Sequence, residues 1–203
     1  MKFNLTLEEI LKRKPLILDL ASGSKAKRKK NSGRVTLDIM DLPDIDIVCD
    51  LNQGLSFLPD SSVDEIHSSM ALEHIENLDF LMKEIYRVLK PDGIKHLVVP
   101  HFSNPYYYSD PTHKHFFGYY TFYYYSDNQE KLIRKVPSYY FKEKFEVVSI
   151  KLVFSTSFRW LRPLSIIFEW FVNLTHSIQE FYEFYLSGFI PCYSIEIVLK
   201  PVK

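Results

Sequence analysis

Short apolar runs, each closed by a small or acidic residue, recur along the first half of this chain. Leu16-Ile17-Leu18-Asp19-Leu20 ends in Ala21-Ser22-Gly23-Ser24, which predicts a buried strand followed by a turn. Arg34–Asp38, Ile45–Asp50, Val63–Ser69 and Ile94–Pro100 repeat the form, and Phe145–Phe154 and Cys192–Lys200 predict two further strands. Ile75, Leu78, Met82, Ile85 and Leu89 step by three and four, which is one face of a helix. Asn77 is placed to cap that helix, and Pro91-Asp92-Gly93 to end it. Thr6 and Glu9 have capping-box spacing and predict a short helix before the first strand. Trp160–Leu186 is expected to be helical around Pro163. Strands alternating with helices predict a mostly parallel sheet covered by helices on both faces. In such a sheet a ligand binds beyond the carboxyl ends of the strands. The residues found there are Asp19 with Ala21-Ser22-Gly23, then Asp38, Asp50-Leu51-Asn52 and Ser68-Ser69-Met70.

Composition narrows this picture in three ways. A chain of 203 residues buries enough surface for one domain without disulfide or metal support, and Cys49 and Cys192 are its two cysteines. No apolar run is long enough for a spanning helix and the N-terminus reads as a helix rather than an export signal, so a soluble, cytoplasmic protein is expected. The net charge of zero removes the simplest case for a nucleic-acid binder, yet it is a sum over unlike segments. Residues 1–35 carry ten basic and three acidic side chains, with Lys25, Lys27, Arg28, Lys29 and Lys30 in one loop, whereas residues 36–92 carry thirteen acidic and three basic.

The ordered motifs resemble those of class I S-adenosylmethionine-dependent methyltransferases of the type 11-like group. The matching pieces are Leu16–Gly23, Val35–Asp38, Asp46–Leu51, and the stretch from Val63 through Leu72-Glu73-His74-Ile75 to Arg87-Val88-Leu89-Lys90-Pro91-Asp92-Gly93. The resemblance covers roughly residues 15–125. It implies a Rossmann-like three-layer α/β sandwich whose mostly parallel seven-stranded sheet has an antiparallel last strand. It also implies S-adenosylmethionine as cofactor, held by Asp19, Ala21, Ser22 and Gly23 in the first loop. Asp38 with Ile39 beside it would take the ribose, Asp50 and Leu51 the adenine, and Ser68, Ser69 and Met70 the opposite wall, while His74, near a helix start, would either contact the donor or cap. Two positions depart from the family: Ala21 stands where glycine is usual, and Lys25 where another small residue is. Alanine there requires either a negative φ or strain. A nicotinamide dehydrogenase would also use an acid like Asp38, but the first loop has one glycine where G-x-G-x-x-G is needed.

The acceptor side is expected after the fifth strand, where Phe102–Tyr125 holds twelve aromatics in twenty-four positions. Asp110-Pro111-Thr112-His113 with Phe116-Phe117 resembles a stretch in a subset of these methyltransferases, several of which occur with surface-polysaccharide synthesis genes. His113 is the first choice for a catalytic base, followed by His115 and His101. A base is required only if the acceptor must lose a proton. His101, Asp110, His113 and His115 match no firm metal spacing, so no metal is assigned. The expected activity is methylation of a small molecule, such as a sugar or polysaccharide precursor. The alternatives are a donor-binding but inactive module, and an RNA methyltransferase using the basic loop 25–30. Phe158–Phe189, rich in aromatics, reads as a helical insertion within a single 1–203 domain, and as a lid or a homodimer surface.

Overall fold

The computed structural model describes residues 1–25 and 32–203. Eight strands form one sheet: β1 (Lys2–Phe3), β2 (Ile17–Leu20), β3 (Val35–Asp38), β4 (Ile47–Val48), β5 (Val63–Ser69), β6 (Leu89–Pro100), β7 (Lys144–Val153) and β8 (Ser194–Val202). Their order is β1-β4-β3-β2-β5-β6-β8-β7. Strands β4, β3, β2, β5 and β6 pair in parallel, whereas β8 is antiparallel to both β6 and β7. The order reverses beside β2, so the carboxyl ends of β2 and β5 border the crevice where ligands of such sheets bind.

Several boundaries differ from the sequence expectation for local reasons. The third predicted strand shrinks to Ile47–Val48 because Asp46 bonds back to Thr36, its Oδ2 accepting from the Thr36 N–H at 3.1 Å. Asp44 just before it takes a φ of +68°. The fifth strand starts at Leu89 rather than Ile94, since Leu89 already pairs with Val63 ahead of a bulge. The edge pair of β1 with β4 adds an eighth strand.

Helix α1 (Leu7–Leu11) carries the Thr6–Glu9 capping box. Helix α2 (Leu78–Val88) begins where the Asn77 side chain accepts from the Phe80 N–H, and it buries Leu78, Leu81, Met82, Ile85 and Val88. Arg87 explains part of the motif that follows α2. Its guanidinium donates to the Leu55 and Leu58 carbonyls, Asp60 and Glu84, tying the loop after β4 to the helix. Between β7 and β8 lie α3 (Arg162–Val172), with Pro163 in its first turn, α4 (His176–Phe181) and a π-helical turn over Tyr182–Leu186.

Along β5, β6 and β8 buried and half-exposed positions alternate. One face packs into the core, with Leu18, Ile66, Leu97, Ile197 and Leu199 at 1% exposure or less. The other bears polar side chains and opens into a cleft of about 770 Å³ lined in part by Asp19, Ser22, His67, His96 and Lys151.

Candidate active site

The turn after β2 is built by Asp19. Its carboxylate accepts from the Ser22 hydroxyl at 3.1 Å and pairs with Arg34 at 3.0 Å, so a group that is 1% exposed sits in a fixed, charge-balanced place. Ala21 adopts φ +51° and Gly23 φ +56°, a left-handed bend that brings the backbone to the cleft. The Gly23 N–H donates to Asp38 Oδ2 at 2.7 Å, and the Met40 N–H donates to Asp38 Oδ1 at 2.9 Å. Each carboxylate oxygen keeps a second lone pair, so Asp38 can accept further bonds at the end of β3. Ile39 beside it is 66% exposed. Asp50 uses Oδ1 to cap Asn52, while Leu51 is buried.

Ser68 is turned away from the role expected of it. Its hydroxyl accepts from Lys95 Nζ at 2.5 Å, and both side chains lie on the core face of the sheet. Burial holds the Lys95 amine well below its ordinary value, at about 7, against the opposing pull of Asp19. Ser69 is exposed at the strand end.

The segment after β6 separates the three candidate histidines. His101 is fully buried: its Nδ1 accepts from the Ser103 N–H, and its Nε2–H donates to Glu183 Oε2 at 2.7 Å. Both ring nitrogens are thus consumed in bracing the insertion to the loop after β6. His115 Nε2 donates to the Ile75 carbonyl at 2.7 Å, and the Tyr107 hydroxyl donates to the His115 carbonyl. His113 differs, because its Nδ1–H donates to the Tyr107 carbonyl at 2.9 Å and leaves Nε2 without that duty. That nitrogen lies 3.8 Å from Asp110 Oδ2.

His113 meets two residues of the Leu72–Ile75 segment. The rings of His74 and His113 stand 4.9 Å apart, and Glu73 joins them so that one ligand-capable atom from each lies within 4.8 Å of the others. Glu73 is 1% exposed, and its Oε2 has no hydrogen-bond partner among the described residues. Desolvation, reinforced by Asp110, pushes its carboxyl up to about 7. Glu73 lies in the Leu72–Ile75 motif but shows no sign in sequence of being buried; its neighbour His74 is the visible half of the pair.

Residues 11–97 match the family model described as Methyltransferase domain. The matched stretch is similar to the methyltransferase domains of the class I S-adenosylmethionine-dependent superfamily. The chain's fold is similar to that of a SAM-dependent methyltransferase from Archaeoglobus fulgidus, at 19% identity and a TM-score of 0.54, covering 91% of this chain and 85% of that one. A second such enzyme, from Mesorhizobium loti, is similar at 14% identity and a TM-score of 0.50, covering 91% and 90% of the two chains. No curated protein shows a significant match.

The chain's own residues at these strand ends fit S-adenosylmethionine. Among the described residues nothing lies within 4 Å of where a Cβ on Gly23 would stand, and the Asp38 and Asp50 carboxylates sit at or just beyond the ends of adjacent parallel strands. When bound, the cofactor supplies an electrophilic methyl group on a sulfonium. Asp38 and Asp50 suit its hydroxyls and amino group, whereas Ser68 has only backbone to offer. Lys25 begins the basic segment, which from residue 26 to 31 lies outside the described residues.

Proposed function

We propose that this chain is an S-adenosylmethionine-dependent methyltransferase acting on a hydroxyl or carboxyl of a small, sugar-like molecule seated under the loop from His101 to Phe117. The observation that carries the reading is the gathering of Glu73, His74 and His113 at the Asp110-Pro111-Thr112 turn. An alcohol must lose its proton as the new bond to carbon forms, and a cluster of two imidazoles and a carboxylate lowers the cost of that loss. Positioning supplies the rest, since in-line transfer needs the reacting atoms about 3–3.5 Å apart. Asp19, Ala21, Ser22, Gly23, Asp38, Ile39, Asp50, Leu51 and Ser69 form the donor side of this proposal, and His113 the centre of the acceptor side. His101 and His115 act through the loop geometry they hold.

Turnover of a panel of hydroxyl and carboxyl acceptors tests the reading. His113→Gln is expected to lower kcat by about 10²–10⁴-fold, with binding of S-adenosylhomocysteine unchanged. An unaltered kcat in that variant overturns the acceptor assignment, and donor binding without any turnover favours an inactive binding module.

We also propose self-association through the insertion at residues 158–189 and a place in the cytoplasm. Both cysteines are free and buried, and among the described residues no helix is long and apolar enough to cross a membrane.

A further inference from the structure

The hydrogen bonds around His74 and His113 place a proton on one nitrogen of each ring. Thr112 has one hydroxyl proton, and it is given to Asp110 Oδ1 at 2.5 Å. The Thr112 oxygen can therefore only accept from His74 Nδ1, which stands 2.9 Å away. His113 Nδ1 faces the Tyr107 carbonyl and must also carry a proton. Both imidazoles are thereby fixed as Nδ1–H tautomers, which leaves a lone pair on each Nε2. Fixing a ring through its far nitrogen is how proteins orient metal-ligating histidines.

A third lone pair comes from Glu73 Oε2, a carboxylate oxygen buried without a hydrogen-bond partner among the described residues. A buried acceptor of this kind normally has a donor or a cation beside it. Resting on the acceptor-site reading, we propose that Glu73, His74 and His113 bind a divalent first-row cation of the zinc type. Two imidazoles and one carboxylate are a donor set such ions accept, and three protein ligands leave a position open for an acceptor oxygen, whose proton loss the cation would then ease in place of a free imidazole. Ligands on one tetrahedral ion at about 2.0–2.2 Å lie roughly 3.3–3.6 Å apart. In the present cluster the candidate ligand atoms all lie within 4.8 Å of one another. Asp110 Oδ2, 3.8 Å from His113 Nε2, adds negative charge at the rim.

Glu65, His67 and His96 form a second such group on the open sheet face, and they serve as an internal control. There His67 Nε2 is already taken up by Glu65 at 3.0 Å and its ring stacks on His96, so the lone pairs do not converge unpaired.

The test is calorimetric titration of the chelator-treated full chain with Zn²⁺, with S-adenosylhomocysteine titrated into the same samples. One Zn²⁺ per chain is expected. Glu73→Gln and His113→Gln should each weaken it at least tenfold, and Thr112→Val should weaken it by loosening His74. His67→Gln should leave it unchanged. Thermal unfolding of each variant verifies folding, and Co²⁺ absorption in the wild type gives a second readout of the same ligands. No Zn²⁺ binding, or binding lost in His67→Gln and kept in His113→Gln, overturns the proposal. If S-adenosylhomocysteine binds while Zn²⁺ does not, the cation site alone fails; if S-adenosylhomocysteine does not bind, the donor-site reading fails instead.

Discussion

Ala21 holds φ +51°, a left-handed conformation that costs an L-residue with a Cβ roughly 1–2 kcal/mol. The turn needs that geometry because the Ser22 N–H must reach the Leu37 carbonyl at 2.9 Å and the Gly23 N–H must reach Asp38. Ala21→Gly should raise the chemical-denaturation midpoint by about 1 kcal/mol of stability, and an unchanged or lower midpoint counts against strain at this turn. Lys95 stores cost of another kind. Its amine titrates at about 7 in the fold against 10.5 normally, so between those values the unfolded chain holds a proton that the folded chain has released. Stability therefore rises with pH across that window, and below about 7 the full penalty of the buried cation is felt. Lys95→Met should flatten that rise and stabilise the protein at pH 7 by about 1 kcal/mol or more. Denaturant titrations at several pH values check it, and an unchanged pH slope would contradict it. These residues were unequally legible. Alanine in place of glycine is visible in the sequence, whereas burial of Lys95 follows from strand register and could be seen only once Ile66 and Lys95 were paired.

Among the elements, α2 was legible because its apolar residues recur at helical spacing, and burial of that stripe is what the spacing encodes. The insertion was legible only as an apolar load. In the structure its polarity is inverted: Gln179, Glu180, Tyr182 and Glu183 point inward, while Leu164, Ile166, Ile167, Trp170, Phe171, Phe181 and Phe184 are exposed. Glu180 accepts from the Ile133 and Arg134 N–H groups and the Tyr120 hydroxyl, and Glu183 from the Tyr119 N–H and His101. The partners of Glu183 lie 64 and 82 residues away, beyond any local pattern. A Cβ on Gly118 would stand 2.6 Å from Glu183 Oε1, so Gly118→Ala should loosen this anchor and destabilise the protein by about 1–3 kcal/mol. Thermal unfolding measures it, and an unchanged midpoint would show that the anchor yields. On the outer side, Phe158, Ile167, Trp170, Phe171 and Phe189 border a cleft of about 1150 Å³. Exposed apolar surface of this extent marks an interaction face. Trp170→Glu should shift the sedimentation of the protein towards the monomer, and a wild type that is monomeric at all concentrations refutes the self-association.

At the scale of the whole molecule, the charge segregation seen along the chain acquires a spatial meaning. Acids gather at successive strand ends because parallel strands deliver the same end to one edge of the sheet, so Asp19, Asp38 and Asp50 follow one another across β2, β3 and β4. That much was legible, since strand ends can be counted. The acceptor cluster was half legible: His74 and His113 lie about forty residues apart, and their meeting depends on the path of the loop after β6. On the function proposed above, the crevice at these strand ends holds the methyl donor through Asp38. Calorimetric titration of the full chain with S-adenosylhomocysteine, for the wild type and Asp38→Asn, tests it most directly. One product molecule per chain is expected, with affinity reduced about tenfold or more in the variant, the equivalent of losing a charge-assisted hydrogen bond of roughly 1.5–3 kcal/mol. No binding to the wild type, or equal affinity in the two proteins, would contradict it.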